Sequence, residues 1–424
     1  MSFSNLGKII PIFVIGLLLG GAVVYALGTQ TPSTNKSNQT KTYYIGNIND
    51  LTGPVASYGQ SFQKASQLAI NQINADLNAS GRNIQFKLVS LDSKGTPEGA
   101  LAALQTLHQT YAIQIDVGPI TSSELAGLLS YANTNHILVI GPTSSADSLS
   151  IPNDYLVRPD SLPASYESQA LVQLAKQSGI KNLVVVWRAD TFGSGYYNAT
   201  QGNVGTSIKV AGISYSPGQT DYASTVSAAS SQVATAKASG KTAVLWVGLT
   251  TEIINMFTHA ASDSVLTSVQ WYGNSALFTP DIYPPATPAP VGLALARTNF
   301  TAGSVYSVGN PVTQQFTSSY QKEYGQAPIS FAETFYDGVW IAALTVLYSG
   351  TYNGTVFQRN VFTVANHFVG VDGQTYLDAK GDQGIGYVGI DQLFTNSTGG
   401  YLFKSIGHYD GSTKTLVFNA TSRA

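Results

Sequence analysis

Two hydroxyl triplets stand where a chain can hold an anion without a buried cation: Thr121-Ser122-Ser123 and Thr143-Ser144-Ser145. Each lies between a short apolar run and the next segment, at a strand-to-helix turn. Hydroxyls and the backbone N–H groups of a helix start would converge there and suit a carboxylate or another anion. The plainer reading is that both triplets only cap their helices. A third loop, Leu51-Thr52-Gly53-Pro54-Val55-Ala56-Ser57-Tyr58-Gly59, adds Thr52, Ser57 and Tyr58. It follows the strand-like run of Tyr43, Tyr44, Ile45 and Ile48, and leads into Phe62, Ala65, Leu68, Ala69 and Ile73, spaced as one face of a helix.

Bond-making chemistry finds less support. The five histidines, at 108, 136, 259, 367 and 408, include no His-x-x-x-His pair or other close metal-ligand spacing. There is no Gly-x-Ser-x-Gly elbow and no Walker loop. Gly384-Ile385-Gly386-Tyr387-Val388-Gly389 satisfies Gly-x-Gly-x-x-Gly, but opens into a strand-like run instead of a helix. With no cysteine there is no disulfide, thiol catalysis, thiolate metal site or lipid-bearing cysteine anchor. These features point away from an enzyme and require no cofactor and no metal.

The elements that position the loops alternate along the chain. Strands are expected at 84–91, 113–117, 137–140, 183–187, 208–214, 243–247 and 269–272, with helices at 97–110, 164–178, 223–238, 251–262, 311–324 and 331–349 between or after them. The spacing predicts parallel, right-handedly wound sheets. Proline at 280, 284, 285, 288 and 290 marks a loop. Paired strands at 401–406 and 415–418 close the chain. A length of 424 residues exceeds one compact core and fits two domains. Charged residues make up 10%, well below the usual quarter or so, and the net charge is −2, which leaves no basic footprint for nucleic acid.

Residues 9–27 are apolar apart from Pro11, glycines and Tyr25, preceded by Lys8. Nineteen residues lies between a long signal peptide and a spanning helix, which needs about 20. Val24-Tyr25-Ala26 and Ala26-Leu27-Gly28 are poor cleavage sites, so residues 1–28 read as an uncleaved anchor, with a cleaved signal peptide as the alternative. Either way the remainder is exported, and residues 29–41, without apolar periodicity, form a flexible tether. Asn-x-Ser/Thr sequons begin at Asn35, Asn38, Asn78, Asn198, Asn299, Asn353, Asn396 and Asn419. The composition alone produces some of them, but they suit a glycosylated outside surface.

The loop from Leu51 to Gly59 resembles the opening signature of the leucine/isoleucine/valine-binding proteins, the type I periplasmic binding proteins that deliver solutes to ABC importers. The likeness continues in order: Asp92-Ser93-Lys94-Gly95, Phe335-Tyr336-Asp337-Gly338-Val339, and Gly370…Gly373…Asp378-Ala379-Lys380-Gly381-Asp382. It covers roughly residues 42–415. The resemblance implies two α/β lobes with parallel sheets joined by a three-strand hinge: 42–160 with 293–372, and 161–292 with 373–424. It places the first crossing near 160 and the second at 292–298. It also implies a small-molecule ligand in the interlobe cleft, hinge closure, and ABC permease subunits as partners. A sensor domain reporting to a membrane signalling partner is the alternative.

By the same resemblance, Ser122 and Ser145 stand where the family grips the ligand's α-carboxylate, with Thr143 and Ser123 beside them. Tyr58 and Phe192 match its aromatic walls. Leu249 stands where an aromatic is common, and Asn274-Ser275 where amino-acid-binding relatives carry a carboxylate for the ligand ammonium. This sequence has no acid there. Asp190 or Glu333 could substitute, though each reads better as a surface or hinge residue, and Asp221 reads as a helix cap. A free amino acid is therefore one candidate among amides, short peptides, urea-like molecules and aliphatic or aromatic carboxylates.

Overall fold

A computed structural model of the chain describes residues 39–305, 311–384 and 387–419. The expected anchor at 1–28 and nearly all of the tether lie outside the described residues, and Lys41, the tether's expected last residue, opens the first strand. Among the described residues no helix is long and apolar enough to cross a membrane.

The chain divides into two compact units. Among the described residues, unit 1 holds those up to Ser144, Ser150–Ser161 and those from 311 to Gly384; unit 2 holds Ser145–Leu149, those from Leu162 to 305, and 387–419. Unit 1 contains a five-stranded parallel sheet. Its strands are β1 (Lys41–Asn49), β2 (Ile84–Asp92), β3 (Ile115–Val117), β4 (Leu138–Ile140) and β5 (Leu156–Val157), in the order β2-β1-β3-β4-β5. Between them run α1 (Ala56–Ala79), α2 (Pro97–Tyr111) and α3 (Ser122–Asn135). The periodic face of α1, with Phe62, Ala65, Leu68, Ala69 and Ile73, joins the core that covers one side of the sheet.

The helices of unit 2 are α4 (Ala164–Gln177), α5 (Thr191–Val204), α6 (Ala223–Lys237), α7 (Thr250–Ala260) and α8 (Ala289–Arg297). Its parallel strands are β6 (Asn182–Arg188), β7 (Lys209–Tyr215), β8 (Thr242–Val247), β9 (Gln270–Gly273) and β10 (Thr301–Val305). The continuous apolar runs of β6 and β8 are buried on both faces, as central parallel strands require. Val184, Val186, Val244 and Trp246 enter one core, while Leu183, Val185, Ala243, Leu245 and Val247 enter the other.

Unit 1 is completed by α9 (Pro311–Tyr324), α10 (Ala332–Ser349), α11 (Gly354–Ala365) and the short pair β11 (Val369–Gly370) and β12 (Gly373–Gln374). Helix α10 is buried along most of its length, and its Phe335 stacks on Phe62 of α1 with ring centroids 4.6 Å apart. The antiparallel strands β13 (Tyr387–Thr395), β14 (Tyr401–Asp410) and β15 (Thr415–Phe418) extend the sheet of unit 2 beside β10.

The units depart from the expected boundaries at Ser145–Leu149, which group with unit 2, at Ser161, which groups with unit 1, and over two longer stretches. Residues 293–305 group with unit 2, because α8 leads into β10 and β10 pairs with both β9 and β13. The segment 292–298 is accordingly most of a helix, not a crossing. Residues 373–384 group with unit 1, where Asp382 meets Arg158. The proline-rich stretch is not all loop either: Pro290 sits in the first turn of α8, where a missing N–H costs nothing.

Candidate functional site

Open α/β sheets hold ligands beyond the carboxyl ends of their strands, and in unit 1 three loops meet that description. After β1, the buried Asp50 accepts bonds from Gly53 N (2.5 Å) and Val55 N (2.8 Å). Asp92, at the end of β2, accepts from Leu51 N (2.9 Å) and Thr52 Oγ1 (2.6 Å). Helix α1 approaches the strand so closely that a Cβ on Gly59 would lie 1.8 Å from the Asp50 carbonyl oxygen. Only glycine fits there. Tyr58, next to it, is half-buried and packs edge-on to Phe62 at 5.9 Å.

After β3 the chain turns at Gly118, whose φ of 129° suits glycine alone. Thr121 then caps α3: its Oγ1 accepts from Glu124 N at 3.3 Å, and Glu124 Oε2 accepts from Thr121 N at 2.9 Å. Burial pushes the Glu124 carboxyl up, against the bonds from Ser93 and Thr121 that pull it down. With the cap supplied by Thr121, Ser122 and Ser123 occupy the first helical turn. Ser122 is 2% exposed and its Oγ accepts from Ser144 Oγ at 2.9 Å. Ser123 Oγ is buried and has no hydrogen-bond partner among the described residues.

The loop after β4 is tied to this turn by Thr143 Oγ1, which donates to the Ile120 carbonyl at 2.6 Å. The Ser144 carbonyl accepts from Arg158 Nη1 (3.0 Å) and Ser161 Oγ (2.8 Å). Ser144, then, is the residue bonded to Ser122. Ser145 groups with unit 2, where its carbonyl accepts from Ala164 N at 2.7 Å. A run of three hydroxyl residues on an irregular loop carries no periodicity that could choose between neighbours.

In unit 2, Phe192 lies in the first turn of α5, partly buried and edge-on to Tyr196 at 6.3 Å. Asp190 caps that helix through Gly193 N (2.9 Å) and is paired with Arg188 at 2.5 Å. Asp190 is therefore committed to structure. The same guanidinium meets Glu252 at 2.5 Å, and Glu252 Oε2 accepts from Tyr215 O–H at 3.1 Å. Glu252 belongs to the first turn of α7, next to Leu249, so one arginine ties together the turns that carry Phe192 and Leu249.

Asn274 is 1% exposed, and its Oδ1 accepts from Gly248 N at 3.0 Å, which braces the turn after β8. Ser275 meets an acid from far along the chain: its N donates to Glu167 Oε1 (2.5 Å) and its Oγ to Oε2 (3.0 Å). Burial pushes Glu167 up to about 7, against the pull of those two bonds. No local signal could find this pair, because Glu167 reads in sequence as an ordinary acid in the first turn of α4. Glu333, the other suggested acid, lies in unit 1. Its Oε1 accepts from Phe331 N at 3.0 Å, and burial pushes its carboxyl up. Asp221 accepts from Ala223 N at 2.9 Å and pairs with His259, as a residue at a helix start does. Among the described residues no group of three or more His, Asp or Glu side chains is arranged to hold a metal.

The chain can be set beside known proteins at this point. The family described as Periplasmic binding protein matches residues 42–381. An uncharacterised protein of Methanocaldococcus jannaschii is 24% identical over 431 residues, covering 95% of this chain and 97% of that one. Among solved structures, a leucine binding protein, LivK, from Thermotoga maritima superposes with a TM-score of 0.73 at 17% identity, over 87% of this chain and 99% of that chain. An ABC transporter solute binding protein from Rhodopseudomonas palustris, in complex with 3,4-dihydroxybenzoic acid, superposes with a TM-score of 0.69 at 15% identity, over 90% of this chain and 99% of that one.

Proposed function

The chain belongs to the periplasmic binding protein family, and from that premise we propose that it is the extracytoplasmic solute-binding subunit of an ABC importer, specific for a small organic carboxylate. The observation that carries the ligand class is the first turn of α3. There Ser122 and the unpartnered Ser123 hydroxyl sit at a helix N-terminus. Arg158, the cation bonded to the neighbouring Ser144, is already paired with Asp382. Neutral donors and a helix dipole favour a single negative charge. Leucine and 3,4-dihydroxybenzoic acid, bound by two proteins of the same fold, share a carboxylate and differ in the ammonium, which supports the same reading. No bond of the ligand need change. A solute that bonds groups of both units binds best to the arrangement offering all of them, and that difference moves the conformational equilibrium.

The test is a titration of matched ligands, each acid against its neutral amide. Ser122→Ala should weaken binding of the acid by roughly 1.5–3 kcal/mol, the range for bonds to a charged group, and should affect the amide less. Equal affinity for acid and amide, with Ser122→Ala changing neither, would sink the carboxylate assignment. Co-purification with permease subunits tests the importer role.

Anchoring is a separate part of the proposal. The full chain should partition with membranes through residues 1–28, while a version beginning at Thr40 should stay in the soluble fraction with unchanged ligand affinity. An exported protein whose N-terminus is found near Gly28 would mean cleavage in place of anchoring.

A further inference from the structure

Six sequon asparagines fall within the described residues, Asn78, Asn198, Asn299, Asn353, Asn396 and Asn419, and every one is exposed. Asparagine does not stand at the surface of this protein by default. Of the fourteen other asparagines among the described residues, only Asn71, Asn83 and Asn153 are exposed, and Asn47, Asn49, Asn182 and Asn274 are buried. A chain rich in Asn, Ser and Thr produces sequons by chance, but chance does not sort them by exposure.

Their places in the fold follow a second pattern. In unit 1, Asn78 stands in the last turn of α1, just before the chain enters β2. Asn353 caps α11, where Gly354 lies against the carbonyls of Gln114 and His136, just ahead of β3 and β4. Both therefore stand at the amino ends of the parallel strands, opposite the loops of Ser122 and Thr143. In unit 2, Asn299 stands two residues before the start of β10. Asn396 follows β13, which runs antiparallel to β10 with Gln392 opposite Thr301, so its turn lies at the same amino end. Asn198 lies midway along α5, and Asn419 beside the middle of β14, with its Nδ2 donating to the Ser405 carbonyl at 2.9 Å. None of the described sequons falls on the turns of Phe192, Leu249 or Ser275.

Asn396 also has the local geometry that couples a sequon's ends. Its Oδ1 accepts from Thr398 N at 3.0 Å and from Thr398 Oγ1 at 2.8 Å, an Asx turn in which the third residue's hydroxyl is bonded to the amide.

We propose that this chain is N-glycosylated, with carbohydrate on Asn78, Asn299, Asn353 and Asn396 covering the strand amino ends of each unit and leaving the ligand loops uncovered. In the transfer, Asn Nδ2 attacks the anomeric carbon of a sugar held on a lipid-linked phosphate or diphosphate donor. A C–N bond forms, the C–O bond to phosphate breaks, the phosphate leaves with the electron pair, and the Nδ2 proton passes to solvent. A separate transferase catalyses the step, and the proposal rests on the extracytoplasmic location argued above. Carbohydrate would hydrate a surface that has few charges to do so, at 10% of residues.

The experiment is peptide mass spectrometry of the full chain from the cells that make it, alongside the same chain from a host with no oligosaccharide transferase. The expected result is sugar adducts at the four named asparagines, none at Asn71, Asn83 or Asn153, and equal ligand affinity for both preparations. Thr398→Ala should abolish the adduct at Asn396 alone. Asn396→Gln repeats the test with the Thr398 side chain intact, should the alanine variant fold poorly. Unmodified peptides at all four positions overturn the proposal; if that chain is outside the cell the export reading survives, and if it is inside both fall. Comparable adducts on the three exposed asparagines outside sequons also overturn it.

Discussion

Raising the pH from 5 to 8 should lower the unfolding midpoint of this protein steadily. Burial holds several carboxyls far above their usual range. Asp116 is pushed up to about 8 by burial alone, in β3 beside Leu107 and Ile113, with neither carboxyl oxygen hydrogen-bonded among the described residues. Burial, and then the charge of Glu333, push Asp160 up to about 8. Asp337 and Asp372 in the same cluster are pushed up by burial and by their neighbours' charge, and Glu167 in unit 2 reaches about 7 through burial.

Each of these groups holds its proton to higher pH in the folded chain than in the unfolded one, where it leaves near pH 4. Between those two values the unfolded state binds fewer protons, so stability falls as pH rises, by up to about 1.4 kcal/mol per pH unit for each group. Asp92 runs the other way: burial raises it, but the bonds from Thr52, Leu51 and Lys94 outweigh that and hold it low. It is partly exposed, so the buried set dominates. A combined loss of a few kcal/mol corresponds to roughly 2–4 °C in midpoint per kcal/mol for domains of this size. Calorimetry at pH 5, 6.5 and 8 reads the slope. Asp116→Asn, which cannot ionise, should flatten it and gain relative to wild type at pH 8. A midpoint that holds or climbs toward pH 8 would show that these carboxyls are solvated.

Burial of this kind marks the line between what the sequence makes legible and what it hides. The runs Leu183–Val186 and Ala243–Val247 could be read as central parallel strands because an apolar stretch flanked by turn residues has few other uses. Helix α10 was equally legible, since its near-continuous apolar run is too long for a strand. Helix α8 departs from expectation because the resemblance implies a crossing at 292–298, and because Pro290, which reads as the end of a proline loop, lies inside a first helical turn, where proline is a start signal. The site divides along the same line. The triplet Thr121-Ser122-Ser123 is legible as a helix start, and Thr121 closes a capping box there with Glu124. The bonds from Ser144 to Ser122, from Ser275 to Glu167, and from Arg188 to Glu252 each join elements far apart in the chain. Local pattern carries no record of them. The same holds for Asp116: an acid inside Ile-Asp-Val is visible, but its neutral state follows only from what surrounds it.

Replacing Arg158 should cost more than any other single side-chain loss near the α3 turn. The guanidinium is 0% exposed; its Nε and Nη2 both lie 2.7 Å from Asp382 Oδ1, Nη1 donates to the Ser144 carbonyl at 3.0 Å, and Nη2 to Ser150 Oγ at 2.8 Å. Asp382 is itself 2% exposed, and burial pushes its carboxyl up against the pull of Arg158. Arg158→Met leaves that carboxylate without its counter-charge, and breaking a buried pair from one side typically costs about 3–5 kcal/mol. Arg158→Met with Asp382→Asn should recover part of the loss, because the orphaned charge goes with its partner; denaturant titrations of the four proteins give the coupling. Additive losses would mean that the pair is hydrated and worth little. Arg158→Lys separates stability from function. It keeps a charge for Asp382 but loses the fork that also reaches Ser144. With the Arg158 bond to that carbonyl lost, the Ser144 hydroxyl is less firmly held against Ser122, so the folded Lys variant should bind the proposed carboxylate ligand several-fold more weakly than wild type. Unchanged affinity in Arg158→Lys would confine the arginine to stability.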